Sequence, residues 1–419
     1  MRAARGPRAP VRRASLPAFT TDTITPRYHD ALVAWQKRNF PELDFLERNW
    51  SKYYPQIHYG LFAKVGRLAS DTIHHGRFTG RARFERAGEM SGNMFYTARD
   101  IIRVQASTEM GALQQHRLTL DEAPTDAMKM ATLRIMADEL RHGYQMFWVL
   151  DHDASWKKPG HNDVAHQVMD ELLAMEVGSH VLDAFNIPFH NFLDNVVFVT
   201  VIDLVGKYQL EIQKVFSYAP MARSMGPMLS EEAFHIGSGR AFLRELAVAA
   251  TNGTGRYSLD DIQRTLNAWI PRGVELFGNE SGGETSMQFG FKDRNNGAAQ
   301  SEYYEEVRQI IAAVNAEIVR ARVPGISAAD ARTVAARVRE GGETISGVSP
   351  SDLLFVPDIK FFRARGAGGV VFKPYDVDGR LLDVDGAGYL AYLRGVLPAW
   401  YVATSEFAKY ERSLVAGRH

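Results

Sequence analysis

The chain has 419 residues, 45% hydrophobic and 23% charged, the balance of an ordinary globular protein. Its 49 basic and 49 acidic residues cancel, so bulk charge gives no reason to expect a nucleic-acid or anionic-membrane partner. It contains no cysteine, which excludes disulfides, thiol nucleophiles, zinc–thiolate sites and all-cysteine iron–sulfur clusters; a metal would have to be held by histidine and carboxylate.

The first 17 residues, "MRAARGPRAPVRRASLP", carry five arginines, three prolines and no acid. The prolines spoil the amphipathic helix of a transit peptide, so residues 1–26 are expected to form a disordered basic tail. Apolar positions three and four apart then predict helices over 27–48, 92–115, 127–150, 164–185, 190–215, 228–250 and 259–276. Thr125-Asp126 and Ser258 are suited to cap two of them. Between the first two lies "HGRFTGRARFERAGEMSG" (75–92), which reads as an ordered loop. The run "NVVFVTVI" (195–202) is β-branched and taken alone favours a strand, but its continuation repeats at helical spacing and predicts a buried helix. It is also the most hydrophobic run, and it ends at Asp203, far short of the roughly 18 residues that span a bilayer. A soluble, cytoplasmic protein is expected.

Residues 277–300 are rich in glycine and asparagine and predict an extended connection. Helices resume at 301–321 and 327–340, "VVFKPYDVDGRLLDVDG" (370–386) has the Asp-Gly turn of a β-hairpin, and a last helix is expected over 387–395. The fold class is therefore mainly α: a helical domain over 27–276, with a C-terminal extension, 277–419, that packs on it and contains a short hairpin.

Two segments on apolar faces carry chemistry. "ADELRH" and "SEEAFH" place Glu139 with His142 and Glu232 with His235, three residues apart and so on one helical face. Such pairs also arise by chance, and Asp71/His74 and Asp163/His166 share the spacing in polar surroundings. A second regularity distinguishes the apolar pair. Glu109 lies 30 residues before Glu139 and Asp203 lies 29 before Glu232, the span of a helix half, a turn and another helix half. Each lone acid would face its Glu-x-x-His unit across an antiparallel hairpin. Two such hairpins supply the ligand set of a di-iron or di-manganese carboxylate bundle, the ferritin-like arrangement. Hard oxygen donors with one imidazole per metal suit iron or manganese better than copper. Asp203, shorter than glutamate, suits terminal rather than bridging ligation. The competing structural readings are that Asp203 pairs with Lys207, that Glu109 is solvated on a glutamine-rich helix, and that Glu139 pairs with Arg134 or Arg141.

At "QASTEMGALQQHRL", "ADELRHGYQM", "VIDLVGKYQL" and "LSEEAFHIG" the sequence resembles the benzoyl-CoA 2,3-epoxidase family of ferritin-like di-iron oxygenases. More distantly it is similar to the oxygenase subunit of phenylacetyl-CoA epoxidase. "VELFGNESG" and "FFRARGAGGVVFKPYDVDGRLL" extend the likeness to about residues 30–400. The resemblance implies iron ligands at Glu109, Glu139, His142, Asp203, Glu232 and His235. It also implies two irons per chain, O2 as co-substrate and epoxidation or hydroxylation of an aromatic ring carried as a CoA thioester. Without cysteine or a glycine-rich dinucleotide loop, the chain would take NAD(P)H electrons only through a separate reductase. Alternatives are a di-iron N-oxygenase or hydroxylase acting on another aromatic substrate, and a ferritin-like iron-binding protein. A monomer or homodimer is expected, with neither nucleic acid nor membrane as partner. Arg77, Arg81, Arg83 and Arg86 are candidates for CoA phosphates, against the alternative of a solvated arginine-rich loop.

Overall fold

The computed structural model describes residues 18–157, 163–279, 282–357, 382–396, 399–403, 407–408 and 411–412. The chain opens with β1 (Phe19–Asp22), which pairs antiparallel with β2 (Ala63–Gly66). Part of the stretch expected to be tail is thus paired backbone. The expected helix 27–48 is two helices, α1 (Pro26–Asn39) and α2 (Leu43–Tyr53). The break falls at Phe40-Pro41, because the residue before a proline is pushed out of the helical region, and Phe40 lies at φ −146°. The 75–92 segment is ordered by two 3-10 turns, Gly76–Phe78 and Ala87–Glu89.

The bundle follows. α3 (Asn93–Leu118) and α4 (Asp126–Asp151) form one hairpin, with the Thr125 hydroxyl accepting from the Met128 amide at 3.2 Å as N-cap. α5 (Val164–Ala174) stops well short of residue 185. The chain after it lies against α3 and forms a 3-10 turn, Asp183–Asn186, where Gln115 donates to the carbonyls of Ala184 (2.9 Å) and Ile187 (2.7 Å). Those side-chain bonds satisfy buried carbonyls that a helix would otherwise have used.

The second hairpin is α6 (Phe192–Gln213) and α7 (Ala219–Thr251). The β-branched run is helical, as its continuation predicts, and α6 is buried nearly all round, so packing decides its conformation. α7 begins nine residues before the expected 228 and carries Pro227 within it. Gly66 of β2 passes so close there that a Cβ would meet the Arg223 carbonyl at 2.7 Å and Pro227 Cδ at 2.9 Å.

α8 (Leu259–Glu275) starts on the Ser258/Asp261 capping box. The expected extended connection holds α9 (Glu284–Gln288) and the start of α10 (Asn296–Arg322). α11 (Ala328–Gly341), α12 (Gly386–Val396) and α13 (Ala399–Val402) follow. Residues 370–381 of the expected β-hairpin lie outside the described residues.

α3 packs on α4, α6 on α7, and α4 on α7, giving a mainly α, ferritin-like bundle. One apolar cluster gathers α1, α2, α4, α5 and much of α3; a second gathers α6, α8, α10 and α11. Among the described residues no helix is long and apolar enough to cross a membrane.

Within the second hairpin α7 passes close to α6 at Gly239, where a Cβ would meet Thr200 Oγ1 at 2.8 Å and the Thr200 backbone nitrogen at 2.9 Å. Gly239→Ala should therefore push α7 off α6 and destabilise the protein by about 1–3 kcal/mol, read as a lowered denaturant midpoint. An unchanged midpoint would show that the two helices can separate freely at this level.

Candidate metal centre

Each hairpin contributes one lone acid and one Glu-x-x-His unit: Glu109 from α3 with Glu139 and His142 from α4, and Asp203 from α6 with Glu232 and His235 from α7. All six side chains are buried, none more than 6% exposed. They assemble into two groups, Glu109 with His142 and Glu232, and Glu139 with Asp203 and His235. Within each group one ligand atom from every member lies within 4.8 Å of the others. The hairpins thus exchange glutamates: Glu232 completes the group around His142, and Glu139 completes the group around His235.

The contacts show why the glutamates can serve both groups. Glu232 Oε1 lies 3.5 Å from His142 Nδ1, and its Oε2 lies 3.5 Å from His235 Nδ1. Glu139 Oε1 lies 3.5 Å from His235 Nδ1, and its carboxyl group also neighbours Glu109. Glu109 Oε2 is 3.4 Å from His142 Nδ1, and Asp203 Oδ2 is 3.5 Å from His235 Nδ1. The two lone acids each face one histidine. Both Nδ1 atoms, Asp203 Oδ2 and Glu232 Oε2 are buried without a hydrogen-bond partner. Converging buried atoms left unpaired in this way are what a bound cation would satisfy.

Electrostatics points the same way. Burial and the neighbouring Glu109 push Glu139 well above the carboxylate range. Burial raises Asp203 to about 7 against the pull of His235. For Glu109 the burial penalty is outweighed by the adjacent Glu139 and His142 side chains, which hold it at about 2. Burial alone would lower His142, yet the neighbouring Glu109 and Glu231 carboxylates raise it to about 9, and His235 is likewise held well above its ordinary value. Four carboxylates packed in an apolar bundle call for positive charge.

The outer nitrogens of the histidines face two acids that sequence reasoning missed, one of them within hydrogen-bond distance. His142 Nε2 lies 3.1 Å from Glu231 Oε2, and His235 Nε2 lies 3.5 Å from Asp138 Oδ2. Each of these acids immediately precedes the glutamate of a Glu-x-x-His unit and reaches the histidine of the opposite hairpin. The signal was present as an acid before each glutamate in "ADELRH" and "SEEAFH". Glu231 is itself bound by Arg141, whose Nε donates to Oε1 at 2.9 Å, and by Lys64, and these cations hold its carboxylate far below the usual range despite burial.

The competing readings of single residues do not hold. Lys207 pairs with Glu306 at 3.0 Å rather than with Asp203. Arg141 pairs with Glu231, and Arg134 lies 3.6 Å from Asp138, so neither pairs with Glu139. Glu109 is not solvated, and Gln105 donates to it. Among the four arginines considered for CoA phosphates, Arg83 is buried and spent on the carbonyls of Ser70, Val215 and Phe216. Arg77 lies 4.7 Å from the Phe289 ring centre, and Arg81 lies 5.5 Å from that of Phe78.

On the α3/α6 side the centre opens into a cavity of about 340 Å³ whose lining includes Glu109, Glu139, Asp203 and Glu232. Ile101, Val104, Leu182, Phe185, Ile202, Val205 and Leu276 supply apolar wall. Gly206 leaves room beside Glu232, since a Cβ there would lie 3.9 Å from its carboxylate. The histidines do not line the cavity; they back the carboxylates from the α4/α7 side.

Comparison with known proteins places this geometry in context. Residues 87–323 match the family described as phenylacetic acid catabolic protein, a narrower span than residues 30–400. The benzoyl-CoA oxygenase component B of Aromatoleum evansii is 27% identical over 222 residues, which cover 49% of this chain and 46% of that protein. The chain thus spans about half the length of this curated relative. The family match takes in all four helices of the bundle and more than half of the chain, and on that ground the chain belongs to the phenylacetic acid catabolic protein family.

Proposed function

We propose that the chain is the oxygenase component of a multi-protein system, an O2-dependent di-iron monooxygenase. Its reaction would be epoxidation or hydroxylation of an aromatic ring held as an aryl-CoA thioester. The observation that carries this reading is the double cluster of carboxylates and histidines lying at an apolar cavity. Glu109, His142 and Glu232 would hold one iron, and Glu139, Asp203 and His235 the other, with Glu139 and Glu232 placed to serve both. When bound, two irons supply the redox chemistry with O2 that side chains of this composition lack.

What the chain itself does is bind, orient and exclude water. Phe185, Leu182, Ile101 and Val104 give the ring an apolar wall, and the same wall keeps bulk water from the carboxylates. Glu231 orients the His142 imidazole so that Nδ1 faces the centre, Arg141 fixes Glu231 in turn, and Asp138 stands 3.5 Å from His235 Nε2 in the corresponding place. Support for the thioester substrate comes from the relative, a benzoyl-CoA oxygenase component B. The same designation as one component, together with the absence of cysteine, supports a separate reductase as electron source.

Protein supplied with iron should contain about two irons per chain. A single zinc per chain by metal analysis would overturn the dinuclear reading. Iron-loaded protein given a surrogate reductase, NAD(P)H and O2 should consume benzoyl-CoA and leave benzoate untouched. O2 uptake with no change in the thioester would instead favour iron oxidation and storage.

Asp203→Asn removes one charge at constant volume and should lower iron content toward one per chain, while Lys207→Ala leaves it unchanged. Full occupancy in the first variant would remove Asp203 from the ligand set. Glu231→Gln takes the charged acceptor from His142 Nε2 and should weaken iron retention about 10–100-fold in a chelator competition, the cost usual for an outer partner of a metal-bound histidine. Retention equal to the parent would mean that Glu231 serves only its ion pairs with Arg141 and Lys64.

A further inference from the structure

One cation lines the cavity among its described residues, and none of the proposed chemistry uses it. Lys292 follows Phe291, which stacks on Phe216 with ring centres 4.0 Å apart, three residues beyond Gln213 at the end of α6. Its side chain is half-buried and has no hydrogen-bond or ion-pair partner among the described residues. Burial alone pushes its ammonium group below the ordinary lysine range, with no carboxylate restoring it. The one acid at this end of the cavity, Asp100, is taken by Arg99 at 2.5 Å. A desolvated ammonium group without a counter-ion is costly, and its position in a cavity wall makes a ligand anion the natural partner.

Distance along the bundle selects which anion. The cavity runs beside α6 from Asp203 to Gln213 and beside α3 from Glu109 to Asp100 and Thr97. Asp203 and Gln213, both in that wall, are ten residues apart on α6, about 15 Å at 1.5 Å per residue, and Lys292 belongs to the segment that packs just beyond Gln213. A free aromatic acid is too short to reach both places. A thioester on a pantetheine arm is long enough, because the arm compares with about four extended residues, on the order of 14 Å, and ends at a phosphate.

Resting on the di-iron oxygenase reading above, we propose that Lys292 is the positioning cation for the phosphate end of the thioester handle. It sets how far the aryl group is fed toward Glu109, Glu139, Asp203 and Glu232. Specificity for a thioester over the free acid would then come from length together with charge, not from the pocket around the ring.

The test is anaerobic binding to the purified full chain, measured by calorimetry with benzoyl-CoA, with benzoyl-pantetheine (the same arm without phosphate) and with benzoate. Lys292→Met keeps the stem and removes the charge. It should weaken benzoyl-CoA about tenfold or more, leave benzoyl-pantetheine within about twofold and flatten the salt dependence of benzoyl-CoA binding, whereas Lys292→Arg should retain most affinity. Iron content and thermal midpoint should match the parent in both variants. An equal loss for both thioesters, no loss for either, or Lys292-dependent binding of benzoate would each overturn the assignment. If the parent binds benzoyl-CoA but Lys292→Met changes nothing, this assignment fails and the thioester reading stands. If the parent binds neither thioester, the thioester reading itself fails.

Discussion

The structure turns on one electrostatic constraint: four carboxylates buried together in the apolar middle of a helical bundle. Isolated, each would be expelled or neutralised, because the cost of desolvating a charge exceeds what packing returns. Here Glu139 and Asp203 are driven upward, Glu109 is held down by its neighbours, and both histidines are held up. The cluster is balanced only when positive charge sits among the carboxylates. The bundle around it supplies rigidity, and its apolar clusters on either side leave the carboxylates few alternative places to go.

That balance also explains why the hairpins cannot act separately. Glu139 of the first completes the group around His235, and Glu232 of the second completes the group around His142. Asp138 and Glu231 repeat the exchange one layer outward, each facing the histidine of the opposite hairpin, with Glu231 bonded to His142. A half-bundle would hold one complete Glu-x-x-His unit and an orphaned set of charges. The α4–α7 contact is therefore chemical as well as structural, and Arg141 and Lys64 lock it through Glu231.

The bundle helices and the six converging residues were legible because their signals are local and repeated. Spacing of three puts Glu139 with His142 and Glu232 with His235, and a separation near 30 brings Glu109 and Asp203 alongside. What spacing does not encode is which hairpin a side chain serves, so the exchange of glutamates became visible only in three dimensions. Asp138 and Glu231 carry no mark in the sequence beyond preceding each glutamate of the repeated unit. The helix break at Phe40-Pro41 was readable from proline chemistry but was overridden by an apolar period that continues through it. The early end of α5 had a local mark in Gly178, which takes φ +107° four residues past Ala174, and farther along Gln115 donates to the carbonyls of Ala184 and Ile187.

The two faces of the centre are built to different tolerances. Behind the histidines, α4 and α7 are cross-linked by Glu231, Arg141, Lys64 and Gln145, with Gln145 donating to Ser224 at 2.9 Å and accepting from the Lys64 amide at 2.7 Å. Movement there would break several buried polar contacts at once, each expensive to leave unmade. In front, α3 and α6 offer small residues, Ala112 and Gly206, and aliphatic walls that impose no directional bonds. Under the proposed function, a ring would enter on that side along apolar surface, while the polar network behind the histidines keeps α4 and α7 together. With directional bonds on one side and apolar wall on the other, the bundle can keep its charges in register beside an open cavity.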